Sequence, residues 1–166
     1  MKFRKIIYLI LFLFISTSEI FAFIKSGVCD PYYASIKSNK VNSHKGPGKE
    51  YKISFEYVQK GMPVMIIAKY DHWRKIRDPF GSESWIHKSL LSPKRFLITT
   101  NNEPSKLMNE SNDNSNLIAL IKKNVIMELV AARGKWCNVK IYNGRGKYRG
   151  WIKKSDVFGT FDNEIR

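Results

Sequence analysis

Two stretches decide the fold of this chain: Val64-Met65-Ile66-Ile67-Ala68-Lys69-Tyr70-Asp71-His72-Trp73-Arg74-Lys75-Ile76-Arg77 and Met127-Glu128-Leu129-Val130-Ala131-Ala132-Arg133-Gly134-Lys135-Trp136-Cys137-Asn138-Val139-Lys140. They align without a gap at an offset of 63 residues, with their tryptophans superposed. A second match places Ser84-Trp85-Ile86-His87-Lys88-Ser89 over Gly150-Trp151-Ile152-Lys153-Lys154-Ser155 at an offset of 66, so the second copy has three extra residues between its tryptophans. An internal repeat of this kind indicates two copies of one structural unit.

Each copy has the pattern of short β-strands separated by turns. Val64 to Lys69 is apolar and β-branched, Trp73 to Arg77 follows as a second strand, and Asp78-Pro79-Phe80-Gly81 has turn composition. In the second copy Asn143-Gly144 favours a tight hairpin, because both residues tolerate positive φ angles. Ile118 to Val130 fits two strands around a Lys-Lys-Asn turn at least as well as a helix. We therefore predict an all-β protein of two small units.

The repeat also predicts where the units begin and end. We expect a signal peptide at residues 1–22, an N-terminal extension at 23–33, a first unit at 34–98, a linker at 99–104, a second unit at 105–159 and a C-terminal tail at 160–166. In this scheme Phe96-Leu97-Ile98-Thr99-Thr100 is the closing strand of the first unit.

The first 22 residues have the layout of a secretory signal peptide. Lys2, Arg4 and Lys5 precede the apolar run Ile6 to Ile15, and Ala22 is the small residue at the expected cleavage site. Ten apolar residues are fewer than the roughly 20 that a spanning helix needs. The prediction is export to the periplasm or the extracellular envelope, with an uncleaved signal anchor as the alternative.

The composition supports a folded core and a strongly basic surface. The chain of 166 residues is 43% hydrophobic, which excludes wholesale disorder. It has 29 Lys and Arg against 14 Asp and Glu, a net charge of +15 that falls to +13 when the predicted signal peptide takes three basic residues and one acid with it. However, Lys outnumbers Arg 21 to 8. AT-rich coding alone would produce this bias, so the charge has both a functional and a compositional interpretation.

An ordered set of motifs resembles the bacterial SH3-like domain of exported proteins. The motifs are Val41-Asn42 with Gly46-Pro47-Gly48 and Tyr51, then Gly61-Met62-Pro63-Val64, then Trp73-Arg74-Lys75-Ile76-Arg77-Asp78, then Trp85-Ile86-His87-Lys88-Ser89-Leu90-Leu91-Ser92. The resemblance covers about Ala34 to Leu97 and, in divergent form, Ser105 to Phe158. His44 stands where the family usually has Arg, and the second copy lacks Gly-Pro-Gly. The resemblance implies two tandem five-stranded SH3-like β-barrels that bind cell-wall or peptide ligands.

Residues peculiar to the first copy are the candidate ligand contacts, because the duplicated core does not require them. They are Gly46, Pro47, Gly48, Tyr51, Tyr57, Tyr70 and Phe80. Partial packing of these aromatic rings is the alternative. The four tryptophans that recur in both copies, Trp73, Trp85, Trp136 and Trp151, are predicted to be structural core. Lys45, Lys49 and Lys52 in the first loop make basic, proline-rich peptides poor partners.

A basic segment of the second copy is a separate candidate site. Its residues are Arg133, Lys135, Lys140, Arg145, Lys147, Arg149, Lys153 and Lys154, interleaved with aromatic residues and with no acid among them. A basic hairpin with aromatic faces can hold an anionic polymer by charge and stacking. Lipid headgroups and cell-wall polymers suit an exported protein, whereas export disfavours nucleic acid. A solvated lysine surface is the alternative.

The sequence gives little support for catalysis or for metal binding. His44, His72 and His87 lie 28 and 15 residues apart, which fits no compact zinc motif, and we expect no cofactor. Cys29 and Cys137 either form a disulfide, which export would permit, or remain two unrelated thiols. The predicted function is a non-catalytic binding module for cell-wall peptide or glycan, or for an envelope protein. The alternative is an electrostatic adaptor for an anionic membrane surface or nucleic acid.

Overall fold

The computed structural model describes residues 27–144 and 146–166. The predicted signal peptide, residues 1–22, and Arg145 of the predicted basic segment lie outside the described residues. Within the described ranges, no helix is long and apolar enough to cross a membrane.

Two sheets of seven antiparallel strands make up the fold, one sheet in each unit. The first unit contains β1 (Gly27–Ile36), β2 (Val41–His44), β3 (Ile53–Tyr57), β4 (Pro63–Tyr70), β5 (Trp73–Arg77), β6 (Glu83–His87), a 3-10 helix (Lys88–Leu90) and β7 (Leu91–Ser92). The second contains β8 (Phe96–Thr99), β9 (Ser105–Met108), β10 (Leu117–Ile121), β11 (Ile126–Arg133), β12 (Trp136–Asn143), β13 (Gly146–Lys153), a 3-10 helix (Lys154–Asp156) and β14 (Val157–Phe158). The predicted all-β fold of two tandem units is confirmed, with seven strands in each unit where the resemblance implies five.

The two sheets have the same strand order. It is β3-β2-β6-β5-β4-β1-β7 in the first unit and β10-β9-β13-β12-β11-β8-β14 in the second, so each strand has a counterpart seven positions later. Even the irregularities repeat. A bulge interrupts β4 between Ile66 and Ala68, and another interrupts β11 between Leu129 and Ala131. Conserved placement of a bulge within one chain shows that both units use the same bend to curl the sheet.

One predicted boundary is wrong. Phe96 to Thr99, expected to close the first unit, is β8, the first strand of the second unit, and it pairs with β11 and β14. Its counterpart in the first unit is β1, which pairs with β4 and β7 in the same way. Tyr33 to Ile36 and Phe96 to Thr99 align at the same offset of 63 residues, but they share no identical residue, so the sequence does not identify this strand as part of the repeat.

Both chain ends of the described region are also part of the sheets. The expected N-terminal extension contributes most of β1, whose first residue, Gly27, is the register partner of Lys69. The expected tail returns to β11, where Arg166 and Ala132 exchange two backbone hydrogen bonds of 3.1 and 3.0 Å. The tail thus pairs with the part of β11 that the short β8 does not reach.

Each unit has its own apolar core. The buried residues of the first core are Ala34, Ile36, Val41, Tyr57, Val64, Ile66, Ile76 and Ile86. Those of the second are Leu97, Leu107, Ile121, Met127, Leu129, Ala132, Cys137, Val139, Ile141, Ile152 and Val157. Alternation along β4, β5 and β6 and along β11, β12 and β13 directs these side chains to one face of each sheet.

Side chains of the C-terminal tail join the two units. Arg95 donates hydrogen bonds to Glu164 Oε2 at 2.9 Å and to the Gly159 carbonyl at 2.6 Å. From the first unit, the ring of Tyr33 contacts those of Phe158 and Phe161 at centroid distances of 5.3 and 4.7 Å. The tail therefore packs between β1 of one unit and β8 of the other.

The cysteines do not form a disulfide. Cys29 and Cys137 are both free thiols. Cys137 is fully buried in the second core, whereas Cys29 packs against the first core. The two residues belong to different cores, which agrees with the second alternative, two unrelated thiols. Burial raises the pKa of the Cys137 thiol and keeps it in the unreactive, protonated form.

We expect Cys137 to resist alkylation in the native protein because its thiol is buried and protonated. Iodoacetamide should modify half-buried Cys29 under native conditions and Cys137 only after unfolding in guanidinium chloride. Peptide mass spectrometry of the two samples checks this. A crosslinked peptide containing both cysteines in air-oxidised protein would contradict it.

The ion pair between Arg95 and Glu164 should make stability depend on pH. Burial alone raises the pKa of Glu164, but hydrogen bonding and charge attraction from Arg95 outweigh it and hold the pKa below its usual value of 4.5. A lowered native pKa stabilises the fold above the unfolded-state pKa, and the contribution disappears as pH falls through the native one. Glu164→Gln should cost about 1 to 3 kcal/mol at pH 7.

Urea unfolding of the wild type and Glu164→Gln at pH 7 and at about pH 3 measures this effect. The two proteins should converge in stability at the lower pH. Glu103→Gln, which makes the same change at an exposed carboxylate with no ion pair among the described residues, is the control. An undiminished difference at low pH would show that the variant acts through packing and not through the charge of Glu164.

Candidate functional site

Two histidines that are distant in sequence contact one tryptophan in the first unit, and the third histidine contacts one of them. Trp73 begins β5 directly after the Asp71-His72 turn, His44 ends β2 and His87 ends β6. The rings of His44 and His87 meet the Trp73 ring edge-on at 5.3 and 5.6 Å, and His72 lies 5.9 Å from His87. We call Trp73, His44, His72 and His87 the ring cluster. It contains every histidine of the chain.

Local hydrogen bonds orient these imidazoles. His44 Nδ1 lies 2.7 Å from the Tyr51 carbonyl oxygen, which can only accept, so Nδ1 carries the proton. His87 Nδ1 lies 2.7 Å from the hydroxyl oxygen of Ser89. In the described residues, no group of three or more His, Cys, Asp or Glu side chains is placed to hold a metal. The ring cluster therefore offers a largely buried indole surrounded by polar, hydrogen-bonding rings.

The Gly46-Pro47-Gly48 loop places Tyr51 beside this cluster. The Tyr51 ring lies on Gly46 so closely that a Cβ atom there would overlap it, which explains why this position is glycine. Backbone hydrogen bonds from Lys45 to Lys52 and from Gly48 to Gly46 close the loop. Tyr51 nevertheless remains 46% exposed. The loop thus presents an aromatic face to solvent next to His44.

The structure separates the predicted ligand contacts into two groups. Gly46, Pro47, Gly48 and Tyr51 lie in the loop that follows His44, and Tyr70 is the register partner of Trp73. Phe80 is 65% exposed, but it lies in the turn at the opposite end of β5 from Trp73. A single small ligand could therefore contact the aromatic residues near Trp73 but not Phe80.

The prediction that Tyr57 contacts the ligand is wrong. It is only 8% exposed, and its hydroxyl donates to Asp78 Oδ2 at 3.3 Å. Burial raises its pKa to about 12. Asp78 also accepts hydrogen bonds from the backbone of Phe80 and Ser82, so its carboxylate organises the β5–β6 turn. The register of β3, in which Tyr57 pairs with Val41, turns this ring into the core.

All four tryptophans pack into the two units, to different depths. Trp73 and Trp136 are buried, and Trp85 and Trp151 are half-buried. Trp73 and Trp136 occupy equivalent positions but have different neighbours. Lys153 Nζ lies 5.6 Å from the Trp136 ring centroid, whereas His87 contacts Trp73 in the first unit.

A cavity of about 360 Å³ adjoins Trp136. It is also lined by Pro104, Lys106, Met108, Asp113, Lys153 and Asp156. Because Met108 and Lys153 replace His44 and His87, the second unit lacks a ring cluster.

The predicted basic segment does not form one patch. Lys154 is buried, and its ammonium donates to the carbonyl oxygens of Asp162 and Glu164 at 2.8 Å each, so it holds the tail and is wrong as a surface cation. Asp113 pairs with Lys135 and Lys153. These hydrogen bonds lower the pKa of the Asp113 carboxyl. The single carboxylate of Asp113 thus offsets one of the two positive charges near Trp136.

The remaining cations lie elsewhere. Arg133 is exposed at the end of β11, whereas Lys140, Lys147 and Arg149 lie on the β12–β13 hairpin. These residues are close along the chain, but the β12–β13 hairpin separates them in space. Lys153 lies at the open end of the hairpin, whereas Lys140, Lys147 and Arg149 lie toward its turn.

Comparison with solved structures gives weak similarity. A chain described as NlpC2 from Trichomonas vaginalis aligns with 13% identity over 82% of this chain and 51% of that chain, at a TM-score of 0.36. NlpC1 from the same organism aligns with 13% identity over 77% of this chain and 45% of that chain, at a TM-score of 0.35. This chain therefore spans about half the length of those chains. Similarity at this level carries no argument about ligand or activity.

The family comparison is decisive for the fold. A comparison with curated proteins finds no match. A family model described as the bacterial SH3 domain matches residues 37–93 and again residues 103–159. These ranges cover more than half of the chain, and each falls within one of the two units that share a strand order. The chain belongs to the bacterial SH3 domain family, in two tandem copies.

Proposed function

We propose that this protein is an exported, non-catalytic module that holds cell-wall peptide or glycan through the ring cluster and Tyr51. The observation that carries the proposal is the contact of His44 and His87 with Trp73, with His72 against His87, beside an exposed tyrosine. Ligand sites combine apolar or aromatic surface with a few fixed polar groups. A sugar ring or a short peptide stem matches this arrangement, because each has an apolar face and hydrogen-bonding edges.

Charge narrows the choice of ligand. Lys45, Lys49 and Lys52 are exposed in the loop that carries Tyr51. Neutral glycan and peptides with free carboxylates suit this loop, whereas basic peptides do not. A peptide segment of an envelope protein is a second partner class with the same chemistry.

A binding role also agrees with the state of the reactive groups. His44 Nδ1 and His87 Nδ1 are engaged with Tyr51 and Ser89. Cys137 is buried in the core of the other unit. A nucleophile and its base must lie within hydrogen-bond reach of each other, and Cys137 has no such relation to the ring cluster.

Co-sedimentation of residues 23–166 with purified insoluble peptidoglycan tests the proposal. We expect retention at low salt and at about 0.5 M salt, because binding by packing is far less sensitive to screening than binding by charge. Tyr51→Ala should weaken binding about tenfold, which corresponds to about 1.4 kcal/mol for one lost aromatic contact. Phe80→Ala, which removes an even more exposed ring at the other end of β5, should leave binding unchanged.

Release by salt, or equal losses from Tyr51→Ala and Phe80→Ala, would overturn the assignment of this site. Retention of the wild type at high salt with full retention of Tyr51→Ala would support wall binding by another surface and refute the ring cluster as its site.

Gly46→Ala gives an independent test of the loop. The added methyl group would displace the Tyr51 ring without removing it. We expect peptidoglycan binding to weaken by about as much as in Tyr51→Ala, with little change in the thermal unfolding midpoint. Gly144→Ala, where a Cβ atom meets nothing within 4 Å, is the matched control. Unchanged binding by Gly46→Ala would contradict a role for the position of the Tyr51 ring.

A further inference from the structure

The β12–β13 hairpin presents a ladder of cross-strand pairs on its outer face. The pairs are Trp136 with Lys153, Asn138 with Trp151, Lys140 with Arg149 and Tyr142 with Lys147. Side chains alternate along each strand, so these pairs share one face while Cys137, Val139 and Ile152 fill the core on the other. Trp136 and Asn138 are themselves buried, so the accessible part of this face combines cations and aromatic rings along one line from Trp151 to Lys147. We call it the hairpin ladder.

In the first unit, a carboxylate neutralises the cations at the equivalent positions. There the corresponding pairs are Trp73 with His87, Lys75 with Trp85 and Arg77 with Glu83. Glu83 forms ion pairs of 2.7 Å with both Lys75 and Arg77. Hydrogen bonds from these two cations lower the pKa of the Glu83 carboxyl, which keeps it charged.

The second unit reverses the charge at this position. Arg149 occupies the place of Glu83, opposite Lys140, which occupies the place of Arg77. The three extra residues of the second copy extend the hairpin by a further pair, Tyr142 with Lys147, that has no counterpart in the first unit. Coding bias toward lysine does not explain an arginine here, because arginine is uncommon in the chain.

No carboxylate among the described residues forms an ion pair with Lys140, Lys147 or Arg149. Arg149 donates to the Asn138 side-chain oxygen at 2.8 Å, and Lys147 lies 5.8 Å from the Tyr142 ring centroid. Glu128 is opposite Lys140 in register, but it pairs with Lys94 at 3.1 Å. Like charges directly opposite each other destabilise a sheet, so an anionic ligand would relieve an existing repulsion.

We propose that the hairpin ladder is a binding site for a linear polyanion. Successive pairs are spaced by about 7 Å along the strands, so the cations follow a line and not a broad plane. Trp151 and Tyr142 lie at either end of the Lys140–Arg149 pair, where they can contact groups between the charges of a polymer.

Fluorescence anisotropy with labelled inorganic polyphosphate tests this site, with residues 23–166 titrated at several salt concentrations. For three cationic contacts, the slope of log affinity against log salt should be about −2 to −3. Lys147→Glu and Arg149→Glu should each weaken binding at least tenfold and make the slope shallower by about one. Arg149→Glu restores the carboxylate that the first unit has at this position.

Lys60→Glu is the charge-matched control. Lys60 is exposed in the first unit, and its substitution changes the net charge by the same amount. We expect it to change polyphosphate affinity less than twofold. Lys147 contacts only the Tyr142 ring among its described interactions, so Lys147→Glu should fold normally, as a thermal unfolding midpoint would show.

Three results would overturn the proposal. The first is equal weakening by Lys60→Glu and Lys147→Glu, which would show a response to net charge alone. The second is unchanged binding by Lys147→Glu. The third is failure to bind polyphosphate together with co-sedimentation on vesicles of phosphatidylglycerol and phosphatidylcholine, which would make the ladder a membrane contact. Tyr51→Ala should leave polyphosphate binding intact, so this proposal and the proposed wall site fail independently.

Discussion

Burial of three aligned apolar side chains in each unit is the constraint on which the remaining structure depends. Ile66, Ile76 and Ile86 are completely buried, and Leu129, Val139 and Ile152 occupy the same places in the second unit. A shift of one residue in register would expose the whole set, so this burial holds the central three strands in place. It also determines the outer face, because the residues between the buried ones must point away from the core.

Duplication has kept that constraint and changed what the outer face presents. In the first unit the face carries Trp73 with His87 and an ion-paired Glu83, and the loop after His44 adds Tyr51. In the second unit the same positions carry Trp136 with Lys153 and an Arg149 that has no acidic partner among the described ion pairs. One scaffold thus supports two surfaces of different chemistry, a ring cluster and a cationic ladder.

The units are also linked to each other through the end of the chain. Lys154 and Arg95, both basic, hold the tail by its carbonyl groups and by Glu164. Phe161 of the tail and Phe158 of β14 both contact Tyr33 of the first unit. Two residues that count toward the basic composition are therefore used in packing. Net charge overstates the cationic surface available to a ligand.

The sequence by itself determined the all-β class, the repeat and the family, because alternation, turn residues and repeated motifs are local signals. Only the tertiary structure decided that β8 joins the second unit, that Tyr57 faces the core, and that His44 and His87 meet at Trp73 with His72 beside His87. It likewise split the basic segment and buried Lys154. These features depend on which distant strands pair and in what register. The observed pairing minimises exposed apolar surface and unpaired backbone groups over the whole sheet, and a short stretch of sequence does not contain that information.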